Sequence, residues 1–447
     1  MASHPSHYGL DGLNFLTASM QAGFGSFVVI QLVANHWSAE AIGFALTIST
    51  VSSLVSQVPA GHFIDSIDDK RRAVRLGATG VGVAALLLGL TSAEPVVYLA
   101  QALQGLGSSL IAPGIAAISL ALVGEAAFSE RVGRNARFAS IGNGLTAGVM
   151  GLAGSYFVPA SIFFLAAVLA VPTLLLLSLV GPEGATASED SRKKEEQKRD
   201  DRKLTWKAVQ VLLRDRRLLI FATCIVLYFA ASAALPAGVA AQAMKRRPEL
   251  ATLIVAGTTL LPQAIVAMIS PWIGRTAQRS GRRPMLLLGW GLLPPQAVLY
   301  GTLPGPFTLL ICQGLNGISG AMFGVMMTLV AADLTRGTGR FNLTLGVLGV
   351  AIAIGASLST AFAGVAVALF GGEAAYLGLA LTGLCGLLLL WVGMPETHPS
   401  TAVAPEPTSA EKIGATPVRA AASKAAWRPR PFLMRRWAGR ARTARKR

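Results

Sequence analysis

Apolar positions in this chain gather into blocks of about twenty residues, parted by short polar stretches, and a helix needs roughly 20 predominantly apolar residues to cross a hydrocarbon core. The pattern predicts twelve such helices: Leu10 to Ala34, Ala41 to Ile64, Leu76 to Thr91, Val96 to Val123, Phe138 to Val158 and Ser161 to Val180 in a first half, then Leu218 to Ala243, Leu250 to Ile273, Met285 to Leu303, Phe307 to Val330, Leu343 to Phe370 and Ala374 to Met394 in a second. The first block has no basic leader and carries Asp11 and Asn14, so it is read as a spanning helix rather than a cleaved signal.

Composition agrees with that pattern. Of the 447 residues 53% are hydrophobic and only 14% charged, with a mean hydropathy of +0.55; a soluble domain carries about 25% charged residues. An ordinary soluble enzyme is excluded. The three cysteines, Cys224, Cys312 and Cys385, fall inside expected helices and form no CxxC pair. The five histidines, His4, His7, His36, His62 and His398, lie in loops or at helix ends without an HxxxH or HExxH spacing. No metal, cofactor or intramembrane catalytic cluster is expected, and no GxxxxGK[ST] loop is present to couple the chain to ATP.

The net charge of +17 gains its meaning from position. With the N-terminus inside, Lys245, Arg246 and Arg247 are the only basic residues in outer loops, so the remaining basic residues face the cytoplasm, as the positive-inside rule requires. The expectation is a multi-pass protein of a bacterial-type cytoplasmic membrane with both termini inside. Residues 182–217 read as a charged cytoplasmic linker between a first bundle, 1–181, and a second, 218–394. The tail, 395–447, is basic and expected to be disordered; its arginines alternate with Trp427, Phe432 and Trp437, a mix suited to an anionic lipid surface. Nucleic acid is not an expected partner.

The two halves also repeat motifs in the same order. Gly61, Asp65, Lys70 and Arg71 follow the second helix, and Gly274, Arg279, Gly281, Arg282 and Arg283 follow the eighth. Gln104-Gly-Leu in the fourth helix is matched by Gln313-Gly-Leu in the tenth; GRNARF from Gly133 is matched by GRF from Gly339, and VGPE from Val180 by VGMPE from Val392. Four ordered pairs are the mark of an internal duplication, which in transporters places the substrate site where the repeats meet.

These motifs resemble the signature loop G-x-x-x-D-[RK]-x-G-[RK]-[RK] of the major facilitator superfamily. The second copy has Gln278 in place of the acid; the first has Ser66, Asp68 and Asp69 at positions where the family carries basic, glycine and basic residues. Pro395-Glu-Thr is similar to the family's usual ending. The resemblance implies an all-α membrane protein of twelve helices in two pseudo-symmetric six-helix bundles, with helices one, four, seven and ten around a central cavity. It therefore nominates Asn14, Gln21, Gln101, Gln104, Tyr228, Ser232, Gln313 and Asn316 as cavity residues; Asp11, Asn14, Ala18, Gln21 and Gly25 recur at helical spacing on one face.

Asp65 is the expected gating acid, because a carboxylate just past a helix end can accept hydrogen bonds from the first amides of a neighbouring helix. Asp11 is the one candidate proton relay, since the spans hold no midplane carboxylate. The glycines Gly142, Gly144, Gly148, Gly151 and Gly154 resemble the glycine-rich fifth helix of family antiporters, with Val149 where those have proline. The expected activity is secondary or facilitative transport of a small solute by alternating access, leaning to export of a neutral or amphiphilic compound by a monomer. Uptake of a sugar or other metabolite stays open, as does a sensor or scaffold role without transport.

Overall fold

The structure is a computed structural model that describes residues 4–24, 26–156, 160–180, 206–235, 251–303 and 306–398. Gly25, the linker through Thr205, the Lys245 to Arg247 cluster and the tail from Pro399 lie outside the described residues. All described residues belong to one compact unit, and among them there are helices and no strands.

The first half comprises α1 (His4–Ala22), α2 (Ser26–Ala34), α3 (Ala39–Ser66), α4 (Arg71–Leu90), α5 (Glu94–Tyr156) and α6 (Ala160–Leu179). A short helix, α7 (Trp206–Arg214), leads into the second half: α8 (Arg216–Ser232), α9 (Ala251–Ser280), α10 (Arg283–Gly291), α11 (Leu293–Thr302), α12 (Pro306–Leu334), α13 (Phe341–Phe370) and α14 (Gly372–Gly393). Among the described residues, eight stretches are long and apolar enough to cross a membrane, and one of them, Glu94–Val149, is 56 residues long and contains the fourth expected span and the start of the fifth. The layout follows the twelve-helix order.

Three local differences from the expected spans have backbone causes. The first span is two helices, because glycines in Gly23-Phe24-Gly25 are poor helix formers. The ninth is broken at Leu292, ahead of Pro294 and Pro295, which supply no backbone N–H. Within α5 the break is one residue, Gly124, at φ 67° and ψ 175°, a conformation that glycine adopts without a Cβ clash. The two arms fold back on each other there: the Asn135 amide donates to Ser119 Oγ across the break at 2.7 Å.

In lipid, tails are as apolar as leucine, so helices are held by close packing of small residues rather than by expulsion of water. Gly77 of α4 and Gly107 of α5 illustrate this: a Cβ on either would press on the carbonyl of the other, at 2.7 and 2.8 Å. Each half has its own apolar core, around Leu13, Met20, Ile118 and Phe163 in the first and Phe221, Trp290, Met326 and Leu390 in the second. Phe44, Leu86, Val168, Leu175, Leu388 and Val392 are exposed on the outside, where a bilayer would cover them. One end of the molecule, here the basic face, carries the turn from α3 to α4, the break in α5 and the turns from α9 to α10 and α12 to α13. Every Lys and Arg among the described residues lies at that face.

Candidate functional site

The two halves meet closely at the basic face through four glycines. A Cβ on Gly61 of α3 would overlap the carbonyl of Asn342, and one on Gly346 of α13 would overlap that of Gln57. On the other seam, Gly274 of α9 faces the Ser129 carbonyl and Gly133 of α5 faces that of Ser270. The interval 274 − 61 = 213 positions also separates Ser129 from Asn342, Gly133 from Gly346 and Gln57 from Ser270. The same contact is therefore made twice, by equivalent residues of the two repeats. Phe128 and Phe341, a further pair at that interval, touch edge to face with ring centroids 6.0 Å apart, which puts them at the pseudo-twofold axis.

Asp65 closes the α3 seam electrostatically. Its Oδ1 accepts from the Asn342 backbone N–H at 3.1 Å and from Asn342 Nδ2 at 2.8 Å, while Oδ2 accepts from the Leu343 N–H at 2.8 Å. The two backbone donors are first-turn amides of α13, which have no partner within the helix and carry its positive dipole end. The equivalent position, Gln278, accepts instead from the Ser129 hydroxyl at 2.8 Å. Ser129 lies in the second turn of its arm, which is helical from just after Gly124, so its amide is already used inside the helix. An acid has no free amides to bind there, which accounts for the neutral residue in the second motif.

Lys70 and Arg71 fasten the turn behind Asp65. Lys70 Nζ donates to the carbonyls of Ile64 and Ile67 at 2.8 and 2.6 Å, satisfying the end of α3. Arg71 pairs with Asp69 at 2.7 Å and donates to the Val180 carbonyl at 3.0 Å. In the second half Arg282 is buried and paired with Asp333 at 2.9 Å, and Gly281, at φ 87°, leaves room for the carboxylate of Glu396. Glu396 accepts from the N–H groups of Arg282 at 2.8 Å and Arg283 at 3.1 Å, capping α10. Burial pushes the Glu396 carboxyl up, but amide hydrogen bonds from Arg282, His398, Arg283 and Thr397 together outweigh it and hold the group below its usual range. Arg283 also donates to the Trp391 carbonyl, and Arg279 is exposed.

Asp11 sits in a buried ion network on the first half. Arg131 Nη2 donates to its Oδ1 at 2.6 Å, and Arg134 Nε to both oxygens at 3.0 and 2.9 Å. Arg131 Nε reaches Asn135 Oδ1 at 2.7 Å, and Asn14 Nδ2 donates to the same oxygen at 3.1 Å. Two guanidiniums thus occupy the acid nominated as a relay, and Asn14 belongs to this network.

The remaining nominated residues divide by burial. Gln101, Tyr228 and Gln313 are buried, with relative exposures of 2%, 4% and 0%. Tyr228 stacks on Phe323 at 4.8 Å, lies 4.7 Å from Trp290 and hydrogen bonds Ser319 Oγ at 2.8 Å, so it is part of the second half's core. Gln313 Nε2 has no hydrogen-bond partner among the described residues. Gln21, Gln104, Ser232 and Asn316 keep partial exposure. Gln104 Oε1 accepts from Ser49 at 2.6 Å and its Nε2 donates to Ser108 at 3.1 Å, an amide flanked by two hydroxyls. Asn316 Nδ2 donates to Gln313 Oε1 at 3.4 Å.

Arg131, Arg134, Asn135, Asn342, Gln57 and Glu396 were not nominated from the sequence as site residues. GRNARF and the Pro-Glu-Thr ending were visible as repeated strings, but Asp11 and Arg131 are 120 positions apart, and nothing in either string indicates the other.

An all-helical bundle of two repeats, joined at one face by duplicated glycine contacts, defines a polytopic membrane transporter of the two-bundle type. The Major Facilitator Superfamily profile matches residues 11–244 and again 228–441. The chain belongs to the Major Facilitator Superfamily and is a membrane transporter, not an enzyme. It is 33% identical over 394 residues to the uncharacterized MFS-type transporters Rv2456c and MT2531 of two Mycobacterium tuberculosis strains, H37Rv and CDC 1551, covering 87% of this chain and 93% of each relative. Among solved structures its fold is similar to the Escherichia coli fucose:proton symporter FucP (TM-score 0.64, 14% identity, 87% of this chain and 98% of that one). It is also similar to the proton:xylose symporter XylE (0.64, 16%, 88% and 96%) and the human organic anion transporter MFSD10 (0.62, 15%, 86% and 99%).

Proposed function

We propose that the protein exports a neutral or amphiphilic small solute by alternating access, and that the structure represents the state closed at the cytoplasm. The observation that carries the reading is the duplicated seam at the basic face. Four glycine-to-carbonyl approaches and the Asp65 cap of α13 join the halves there, and such contacts can form only when the bundles are tilted together at that end. Along α3 and α13 the tight approaches stop at Gln57 and Gly349, whereas Val51, Val55, Ile354 and Leu358, nearer the opposite face, are exposed. The basic character of the closed face supports placing it in the cytoplasm.

The substrate class follows from what could line the cavity. Gln21, Gln104, Ser232 and Asn316 offer amides and a hydroxyl, which orient a ligand through donors and acceptors without a counter-charge. Every described acid lies near a helix end, and Asp11 is taken by Arg131 and Arg134, which favours a structural anchor over a proton relay. The lean to export rests on the resemblance of the glycine-rich second arm of α5 to family antiporters; there a Cβ on Gly142 would press on the Phe15 carbonyl of α1, and one on Gly144 would lie 3.5 Å from Gln263 of α9. Small residues at this position let the helices approach closely.

The test is a ligand thermal-shift screen on purified protein, followed by flux of each hit in proteoliposomes at two pH values. Saturable flux of a neutral or amphiphilic compound, reduced by Gln104→Ala, is expected. Flux confined to strongly ionic compounds, or strictly dependent on a proton gradient and abolished by Asp11→Asn in a protein that still folds, contradicts the reading.

A further inference from the structure

We propose that the elbow between α7 and α8 docks the headgroup of an anionic phospholipid. α7 turns Val209 and Leu212 into the core of the second half, while Val211 is 54% and Leu213 42% exposed. Arg214, Arg216 and Arg217 follow immediately, all exposed, and none forms an ion pair among the described residues. Asp215, the acid beside them, is already used as the cap of α8, its Oδ1 accepting from the N–H groups of Arg217 at 2.8 Å and Leu218 at 3.4 Å. Three guanidiniums within four positions therefore stand next to exposed apolar side chains at the point where α8, the start of the seventh expected span, begins.

That combination matches one surface. Apolar residues favour the acyl boundary, and arginines beside them reach the phosphate level, where a guanidinium binds phosphate oxygens in a bidentate fork. Charge complementarity selects an anionic headgroup over a zwitterionic one, and the flanking Val211, Leu213 and 41%-exposed Leu219 select a lipid over a free anion. The elbow is distinct from the basic tail, and a lipid bound there pins the end of the linker to the membrane beside the second bundle.

The test titrates the purified full chain in neutral detergent with phosphatidylglycerol, phosphatidylcholine and, separately, inorganic phosphate, counting bound lipid by native mass spectrometry. The triple substitution R214Q/R216Q/R217Q is expected to weaken phosphatidylglycerol binding by about fivefold per arginine removed and to leave phosphatidylcholine binding unchanged. Its thermal unfolding in detergent alone should match the unsubstituted protein, since the three side chains are exposed. Leu213→Trp places the site independently: brominated phosphatidylglycerol should quench the added fluorescence more than brominated phosphatidylcholine does. Equal phosphatidylglycerol binding by the triple variant overturns the proposal, as does full displacement of the lipid by inorganic phosphate.

Discussion

Asp65 and Asp11 are both acids close to a helix end, yet their surroundings give them different tasks. Asp65 binds the free amides of a helix in the other half, so its contacts exist only while the halves are together. Asp11 binds two arginines of its own half, buried to 4% exposure, and nothing in that arrangement depends on the second bundle. Removing one member of a buried pair leaves a charge without compensation, which costs roughly 3–5 kcal/mol. Arg131→Met should therefore lower thermal stability markedly in detergent, whereas Gln104→Ala should change it little; equal melting temperatures would count against the network as an anchor. Glu396 gives a pH signature. Its folded pKa is held below the unfolded value, so its stabilisation is complete above the ordinary carboxylate range and is lost as pH falls through the depressed value. Unfolding measured along an acid series should show that loss, and Glu396→Gln should flatten it. At this scale the sequence was partly legible. Asp65 could be nominated because a motif position and a helix end coincide, but its partners Asn342 and Leu343 are 277 and 278 positions away. Tyr228 and Gln313 looked like cavity groups because polarity at a given helical position does not reveal whether it points to a cavity or to a neighbouring helix.

At the scale of helices, hydropathy located the spans and failed at their interruptions. The polar stretch from Glu125 to Arg137 separates the fourth and fifth spans in the sequence, yet it is helical in the structure, and Gly124 alone reverses α5. The glycines divide the same way: periodicity shows that they are frequent, but only the structure distinguishes those that meet a carbonyl from those that meet space. A methyl group on Gly61 or Gly274 would press on a backbone carbonyl that cannot yield, disfavouring the closed seam by about 1–3 kcal/mol. A Cβ on Gly148 would meet no described atom of another element within 4 Å, and alanine there should be neutral or slightly stabilising. Flux by Gly61→Ala, Gly274→Ala and Gly148→Ala in matched proteoliposomes checks this, with loss expected for the first two alone. Similar activity in all three would mean that the seams do not open and close.

For the molecule as a whole, the duplication was legible as ordered motif pairs; the structure gives it one interval, shared by four glycine contacts and an aromatic pair, and it pairs Gly133 with Gly346 rather than with Gly339, where the GRF string had placed it. Orientation is a whole-chain property too. A cysteine placed at the exposed Ser66 should react with a membrane-impermeant thiol reagent in inside-out vesicles and stay protected in intact cells, if the basic face is cytoplasmic. The central claim is that this face closes and opens, with Asp65 holding it closed. Its most direct test is the distance distribution between spin labels at Ser66→Cys and Thr338→Cys, one in each half beside the seam, recorded in liposomes with Asp65 intact and with Asp65→Asn. A short-distance population that gives way to a longer one on Asp65→Asn is the predicted result; a single distribution unchanged by the substitution would contradict the account.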